Sequence, residues 1–378
     1  MKILFDAFIN PHTYSGVEKK IFGQIKALEE LGHSVWFFTF EKGQLVVNHT
    51  GEKQPLFETK DSMISYYLAL EKGARQVCVK EKIQLLYIRR IFCTPFHLKT
   101  LRLLKNQGVH LVEELPTYPY DGENKNYTQL SYKITAVIDK ICRGQYKKYL
   151  DFFTLYNGYD EVFGVPALRL ENGIDFANIR FVPTEFPSDR IDLIAVSAMA
   201  PWHGYERVLE GMNEYYKAGK EVKRRVNFHI VGQGQEKENW QEMARRFNLE
   251  EQVKFYGQLT GDALSEVFDR CQIGIASLGC YKKNMFDGSE LKIHEYMAYG
   301  KPFIYTLDSS CLTQEMAYCK KVANDETPLD IEAVVKFYDE VSKREEVSQE
   351  MNRFARENYS WQVQMKKVMD EVEGKMGR

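Results

Sequence analysis

IDLIAVSAMA, residues 191–200, has the pattern of a buried strand and opens the second half of the chain. A helical pattern follows and ends near Gly219, with apolar side chains recurring on one face: Val208, Leu209, Met212, Tyr215 and Tyr216. Four more short apolar runs come after it, at 227–231, 253–256, 273–278 and 302–306. Strand runs that alternate with helices are typical of a parallel sheet covered by helices, so we predict an α/β domain here.

The first half of the chain shows the same alternation, with apolar runs at 3–8, 35–40, 84–88 and 109–115. A helical pattern separates the first two runs and ends at Gly32. The stretch 176–190 holds two prolines and no clear period, which predicts a linker. At 378 residues, the chain is long enough for two domains, and we expect two Rossmann-like domains, 1–180 and 190–350. We expect a C-terminal helix at about 355–378 to pack back on the first domain.

The composition excludes several classes of protein. Fifty-one basic side chains nearly balance 53 acidic ones, so bulk charge gives no reason to expect a nucleic-acid partner. The seven cysteines never form a CxxC pair, which favours reduced thiols in a cytoplasm over disulfides or a zinc cluster. The apolar start MKILFDAF is too short for a signal peptide, and no run approaches the ~20 residues of a membrane helix.

The stretch 127–156 mixes aromatic residues with Lys133, Lys140, Arg143, Lys147 and Lys148. It fits a helix that lies on a membrane surface, and it also fits a plain amphipathic helix packed on its own domain. We favour the second interpretation.

The segment FDGSELKIHEYMAYGKP, residues 286–302, carries the clearest chemical signal. Gly288 and Ser289 predict a turn and an N-cap, after which Glu290, Leu291 and Lys292 open a helix that stops at Gly300. The N-terminus of a helix attracts anions, and a lysine in its first turn is mildly unfavourable unless an anion lies nearby. A phosphate would resolve that conflict, although an exposed lysine tolerated at small cost explains the pattern as well.

Two carboxylates, Asp287 and Glu295, flank this turn eight positions apart. Each could accept hydrogen bonds from adjacent hydroxyls, one from a sugar ring and the other from a ribose. In isolation such a pair is more often plain surface charge.

SELKIHEYMAYGKPFI resembles the donor-binding helix of the retaining GT-B glycosyltransferases of family 4. The resemblance implies two Rossmann-like domains facing across a cleft. It also implies that Glu295 contacts the nucleotide ribose, and that Asp287 contacts the donor sugar near the reaction centre and acts with Glu295 in catalysis. Asp287 stands where the family usually has Glu, so the resemblance leaves the donor sugar open.

The resemblance extends over most of the chain. Residues 13–33 resemble the family's first loop and helix, and only Gly16 remains of the family's usual pair of glycines. ENGIDFANI, 171–179, resembles the segment that closes the first domain, and PWHGYERVLEGM, 201–212, resembles the loop and helix that supply His203, Gly204 and Arg207. IVGQGQE, 230–236, resembles the next strand and turn, with Gly232 and Gly234. We expect all these named residues to bind the donor.

One departure concerns the diphosphate. Many relatives supply an Arg and a Lys from the first loop of the second domain, and those positions correspond here to Ala198 and His203. We expect a rearranged phosphate site in which His203 takes up a proton when a diphosphate is bound and Lys292 supplies the remaining positive charge. Arg207 either helps or only braces the loop.

The acceptor site is expected in the first domain, after the run 109–115. Aromatic and acidic residues cluster there in VEELPTYPYDGE: Glu113, Glu114, Tyr118, Tyr120 and Asp121. We take Glu114, Tyr118 and Tyr120 as candidate acceptor-binding residues, although an ordinary Pro-rich loop fits equally well. Arg89 and Arg90 either bind an acceptor phosphate or pair with these carboxylates.

These features predict a cytoplasmic glycosyltransferase that uses no metal or other cofactor, since no DxD sequence occurs. The resemblance implies a UDP- or GDP-sugar donor, retention at the anomeric carbon and a saccharide or lipid-linked saccharide acceptor. It further suggests cell-surface polysaccharide synthesis and peripheral contact with the inner face of the membrane. Alternatives are a non-catalytic partner subunit of the same fold, and a nucleotide-sugar epimerase or phosphorylase. A dinucleotide oxidoreductase is disfavoured because no GxGxxG follows the first strand.

Overall fold

The structure is a computed structural model that describes residues 1–9, 16–90, 92–121, 130–217, 221–309, 312 and 316–376. The chain divides into two compact units. The first comprises Met1–Gly173 together with Ser360–Arg378, and the second comprises Ile174–Tyr359. The irregular stretch 176–189, which includes a 3-10 turn at Phe176–Asn178, therefore belongs to the second unit.

A nine-stranded sheet forms the centre of the first unit, in the order β4-β3-β2-β1-β5-β6-β7-β9-β8. Its strands are β1 Lys2–Ala7, β2 Ser34–Glu41, β3 Gln44–His49, β4 Glu52–Glu58, β5 Leu85–Arg89, β6 His110–Glu114, β7 Phe152–Leu155, β8 Glu161–Val162 and β9 Val165–Arg169. The six strands from β2 to β9 in that order are parallel, whereas β3, β4 and β8 pair antiparallel at the two edges.

Helices cover both faces of this sheet. They are α1 Gly16–Glu30, α2 Met63–Glu81, α3 Pro95–Lys105, α4 Leu130–Cys142 and α11 Trp361–Met376. Alternate strand residues enter two separate cores, because side chains alternate across a strand. Ile3 and Phe5 pack with α1 and α11 in one core, while Leu4 packs with α2 and α3 in the other.

Two features of the first unit differ from the sequence-based expectations. The hairpin β3–β4 extends the sheet at one edge, although no strand was predicted there. The stretch 127–156 does not form one long helix: α4 ends at Cys142, a 3-10 helix spans Arg143–Lys148, and β7 follows. Residues 127–129 lie outside the described residues.

The second unit contains a six-stranded, wholly parallel sheet in the order β12-β11-β10-β13-β14-β15. Its strands are β10 Arg190–Val196, β11 Arg225–Val231, β12 Val253–Gly257, β13 Ile273–Ile275, β14 Phe303–Tyr305 and β15 Cys319–Lys321. The order reverses between β10 and β13, and the carboxyl ends at such a reversal form the usual ligand-binding crevice of an open α/β sheet.

The described residues of this unit form six α-helices: α5 Glu206–Tyr215, α6 Lys237–Arg246, α7 Gly261–Arg270, α8 Leu291–Ala298, α9 Ile331–Val341 and α10 Val347–Tyr359. Helix α8 begins two residues after the predicted N-cap, because Glu290 and not Ser289 occupies the capping position. No helix in the described part of the chain is both long and apolar enough to cross a membrane.

Candidate functional site

Two loops meet at the reversal point of the second sheet. The loop after β10 contains a 3-10 turn at Pro201–His203, and the loop after β13 begins at Ala276. The N–H of Leu278 donates to the carbonyl of His203 at 2.8 Å, and that of Gly279 donates to the carbonyl of Trp202 at 3.2 Å. These backbone bonds fix the two loops side by side.

Gly204 makes this close approach possible. Its φ is +63°, in the left-handed region, and a Cβ atom there would lie 2.4 Å from the nitrogen of Gly279. Any larger residue would therefore force the loops apart. The expected donor-site glycine thus has a structural reason within the unit.

Four side chains converge where the loops meet the start of α8. Lys292 Nζ lies 2.8 Å from His203 Nδ1 and 3.2 Å from Ser277 Oγ. Ser277 donates to Glu290 Oε1 from both its backbone N–H, at 2.9 Å, and its hydroxyl, at 2.5 Å. Glu290 Oε1 lies 3.6 Å from Lys292 Nζ, so the cluster joins one cation, one carboxylate and two neutral groups.

His203 is neutral in this cluster. Burial of the ring and the nearby Lys292 ammonium lower the pKa of His203 to about 3. Its Nδ1 atom therefore accepts a hydrogen bond from the Lys292 ammonium. Lys292 is the cation of the cluster here, and the expectation that His203 carries a proton when a diphosphate is bound stays a prediction.

Glu290 holds one unused acceptor. Its Oε2 atom is buried and has no hydrogen-bond partner within the described part of the chain. A buried, unsatisfied carboxylate oxygen is costly, and a donor from a bound molecule would remove that cost.

The two predicted acids lie on either side of this cluster along the chain. Asp287 is exposed and forms an isolated parallel bridge with Asp308, in which Gly288 N donates to Asp308 O at 3.1 Å. Glu295 is half-buried in the second turn of α8, three residues after Lys292, so both project from neighbouring positions of one helix face. Ser289 is half-buried and Leu291 is exposed at the first position of α8.

The Arg207 side chain is buried within the second unit. It is 2% exposed, and its guanidinium donates to the carbonyls of Thr327 at 2.6 Å and Leu278 at 2.5 Å. Its placement among donor-binding residues is corrected accordingly: the side chain braces the loop after β13, which is the alternative that the sequence left open.

Gly232 and Gly234 follow β11 and allow its loop to approach the loop after β10. A Cβ atom on Gly232 would lie 1.8 Å from the carbonyl oxygen of Ser197, and one on Gly234 would lie 2.3 Å from that of Met199. This packing requires glycine at both positions, and their donor-binding role stays a prediction. Gly16, in the first unit, is the first residue of α1, and the loop before it at 10–15 lies outside the described residues.

The acceptor residues predicted in the first unit are mostly unavailable. Glu114 is 0% exposed and accepts from Gln24 at 2.7 Å, Tyr87 at 2.9 Å and Arg89 at 2.9 Å. Burial opposes its ionisation, yet Lys20 and Arg89 lower the pKa of Glu114 to about 2. Glu114 is therefore an internal counter-ion and not a ligand contact.

The two aromatic acceptor candidates differ in how exposed they are. Tyr120 is buried and donates to Asp139 at 2.9 Å, so its predicted acceptor-binding role is also corrected, whereas Tyr118 is half-buried. Arg90 pairs inside the unit with Asp6 and Glu71, and Asp121 pairs with Arg143 at 3.0 Å. Of the three predicted acceptor residues, Tyr118 alone keeps partial exposure.

Ser277 is the site residue that sequence reasoning missed. It falls at the end of the apolar run 273–278, where a serine carries no distinguishing signal. Within the described residues, no three His, Cys, Asp or Glu side chains group as a metal site requires.

Comparison with known proteins agrees with this geometry. Residues 190–321 match the family model of the glycosyl transferases group 1. A search of curated proteins found no significant match.

Solved structures resemble the chain over its whole length. Sucrose-phosphate synthase from Thermosynechococcus elongatus superposes with a TM-score of 0.66 at 13% identity, covering 100% of this chain and 99% of that one. HepE from Anabaena in complex with UDP gives 0.61 at 14% identity, covering 99% and 100%. The lipopolysaccharide outer core galactosyltransferase WaaB gives 0.61 at 14% identity, covering 99% and 100%.

At such identities the structural likeness establishes the fold, and the family match concerns the second unit. The predicted GT-B fold, with its two parallel-sheet domains, is confirmed. Residues 190–321 carry a glycosyl transferases group 1 domain, which confirms the predicted enzyme class.

Proposed function

We propose that this chain is a retaining glycosyltransferase that binds a nucleotide-sugar at the reversal point of the second sheet and transfers the sugar to a saccharide acceptor. The observation that carries the proposal is the meeting of Lys292, in the first turn of α8, with the loop after β10. Those are the two elements at which an open α/β sheet holds a phosphate: the crevice at its strand ends and a helix N-terminus.

The diphosphate would lie against Lys292 and the first backbone N–H groups of α8. A diphosphate leaving group gains negative charge as the sugar departs, and a fixed ammonium with helix N–H groups stabilises that charge. His203 accepts from Lys292 and thereby orients the ammonium without neutralising it. This arrangement supports chemistry that needs no metal ion.

Hydroxyl groups of the donor have acceptors close by. Glu295 follows Lys292 by one turn and would reach the ribose, while Asp287 precedes the helix and would reach the sugar. The unsatisfied Glu290 Oε2 offers a further acceptor for a hydroxyl or for the N–H of a base.

A UDP-sugar is our preferred donor over a GDP-sugar. HepE from Anabaena, which shares the fold, was crystallised with UDP and with UDP-glucose. Retention at the anomeric carbon, which the resemblance implies, completes the proposed reaction.

The acceptor is proposed to be a saccharide or a lipid-linked saccharide in cell-surface polysaccharide synthesis, at the cytoplasmic face of the membrane. A structural neighbour, WaaB, is named as a galactosyltransferase of the lipopolysaccharide outer core. Tyr118 is the remaining aromatic candidate for this contact.

A non-catalytic partner subunit is the second candidate. Ala198 and the neutral His203 favour it, since both stand where many relatives carry cations. Such a subunit would bind nucleotide too weakly for calorimetry and would associate stably with a second glycosyltransferase.

The test begins with thermal stabilisation by a panel of UDP- and GDP-sugars, because a ligand that binds the folded state raises its stability. The best donor is then incubated with and without saccharide acceptors. Release of UDP only when an acceptor is present, with the anomeric configuration kept, supports transfer. An altered sugar in the absence of acceptor would instead identify an epimerase, and release that needs inorganic phosphate would identify a phosphorylase.

Glu295→Ala provides the matched variant for that assay. We expect it to reduce transfer at least tenfold while the melting temperature stays within about 3 °C, since Glu295 is only half-buried. Glu242→Ala, at an exposed position of α6, serves as the control and should keep full transfer. Full transfer by Glu295→Ala would refute the donor-site placement.

A further inference from the structure

Helix α4 of the first unit presents apolar side chains to solvent. Ile134, Val137 and Ile141 are 52%, 60% and 75% exposed. Their spacing of three and four residues puts them on one stripe of the helix. Packing of α4 on its own unit therefore leaves these three apolar side chains uncovered.

Contacts on the opposite side fix α4 to the unit, so the helix cannot rotate to bury the exposed stripe. Asp139 is buried and accepts from the backbone N–H of Cys93 at 2.7 Å and from the Tyr120 hydroxyl at 2.9 Å. Cys142 is also buried. These contacts hold Ile134, Val137 and Ile141 outward.

Exposed lysines accompany the stripe along the chain. Lys133 and Lys140 are exposed beside it on α4, and Lys147 and Lys148 are exposed on the 3-10 helix that follows. Asp139 is the single acidic residue of the sequence 130–148, and it is buried. The surface of α4 and this 3-10 helix thus exposes four lysines and no acidic side chain of its own, while Asp121, whose side chain is 42% exposed, pairs with Arg143 of the 3-10 helix.

We propose that this face, formed by Ile134, Val137, Ile141 and the four lysines, docks on a bilayer that contains anionic lipid. Apolar side chains flanked by lysines suit the boundary between acyl chains and headgroups, where the lysines reach lipid phosphates. Three apolar side chains cover far less than the about 800 Å² per partner of a stable protein interface, so a second copy fits less well.

This docking does not depend on the proposed transfer reaction, because it uses a surface of the first unit and an interaction that involves no nucleotide. It would hold the enzyme against a membrane while lipid-linked molecules diffuse past. The lysines contribute an attraction that salt weakens, and the apolar stripe contributes one that salt does not.

Sedimentation with vesicles tests the proposal on the full chain. We expect binding to vesicles of phosphatidylcholine mixed with phosphatidylglycerol, and little binding to phosphatidylcholine alone. The triple change Ile134→Ser, Val137→Ser, Ile141→Ser should weaken binding at least tenfold. The double change Ile64→Ser, Val79→Ser alters α2 residues that are 60% and 59% exposed, and it should leave binding unchanged.

Charge is tested by changing the four lysines of the face to glutamine. Since each lysine near an anionic surface contributes roughly fivefold in affinity, the quadruple change should abolish measurable binding. The matched control changes the exposed Lys99, Lys223, Lys343 and Lys367 to glutamine and removes the same net charge elsewhere.

The proposal is overturned if the triple serine variant or the quadruple glutamine variant of the face binds anionic vesicles like the unaltered protein. It is also overturned if the control lysine variant loses as much binding as the lysine variant of the face. It is also overturned if the protein self-associates in solution through this face, with the triple change abolishing association, and no vesicle binding occurs. All variants alter exposed positions, so unchanged melting temperatures are expected and are checked first.

Discussion

Lys292 Nζ lies 2.8 Å from Nδ1 of His203, so a buried neutral imidazole holds the ammonium in the first turn of α8. The Glu290 carboxylate lies farther from the ammonium, at 3.6 Å, and its nearer oxygen already accepts two hydrogen bonds from Ser277. A neutral partner fixes the position of a cation without removing its charge. This relationship leads to the first two predictions.

Lys292→Ala should weaken the binding of UDP at least tenfold and leave the binding of uridine within about twofold. A charge-assisted contact to phosphate contributes roughly 1.5–3 kcal/mol to the binding free energy. Uridine has no phosphate, so it does not make this contact and its affinity should not change. Titration calorimetry with both ligands measures the difference, and Lys254→Ala, at an exposed position of β12, is the control. Equal losses for the two ligands would make Lys292 a structural residue.

The neutrality of His203 should appear in the pH dependence of stability. The pKa of His203 is about 3 in the folded chain, well below the ordinary value near 6.5, so below about pH 6.5 only the unfolded chain takes up this proton. The contribution of His203 to the free energy of unfolding is therefore full above that pH and declines as the pH falls toward 3.

The comparison is made with His203→Asn, which cannot titrate. We expect the stability advantage of the unaltered protein over this variant to be smaller at about pH 5 than at about pH 7, as measured by urea unfolding at both values. A difference that stays constant, or that grows toward low pH, would show that the imidazole is protonated in the folded chain.

The sequence was sufficient for the parts of the site that lie in one regular pattern. The helix that carries Lys292 and Glu295 was evident from its glycine turn, its apolar spacing and its stop at Gly300. The alternation of strands and helices likewise predicted the parallel sheet of the second unit. Local periodicity determined these features, and tertiary contacts did not override it.

Other features depended on long-range pairing. Pairing of Arg89 with the carboxylates of this loop was one of two alternatives, and the ion pair with Glu114 is observed. Nothing near Glu114 in the sequence indicates that Lys20, 94 positions away, would join Arg89 around this buried carboxylate. Ser277 and Glu290 meet only because the loop after β13 returns to the start of α8. The hairpin β3–β4 was missed because its short strands lie at a sheet edge, where β4 is largely exposed and lacks a strong apolar run.

Arg207 is predicted to act on stability and not directly on ligand binding. Arg207→Met leaves the carbonyls of Thr327 and Leu278 without their buried donor, which should lower the free energy of unfolding by about 2–4 kcal/mol. Arg246→Met, at an exposed position of α6, should change it by less than about 0.5 kcal/mol. Retained stability together with lost UDP affinity in Arg207→Met would return this side chain to the donor site.

The glycines of the second unit allow packing and binding to be separated. A Cβ atom on Gly232 would lie 1.8 Å from the Ser197 carbonyl oxygen, at a φ of +133°, whereas one on Gly288 would meet its nearest neighbour, Leu307 Cδ1, at 3.7 Å. Gly232→Ala should therefore lower the free energy of unfolding by about 3 kcal/mol or more, and Gly288→Ala by less than about 1 kcal/mol. Urea unfolding measures both changes.

If the donor lies against the turn before α8, Gly288→Ala should fold normally and yet bind UDP-glucose more weakly, because the added methyl group occupies ligand space. A Gly288→Ala protein with unaltered affinity for UDP-glucose would move the donor away from that turn, and a stable Gly232→Ala protein would contradict the close approach of the two loops.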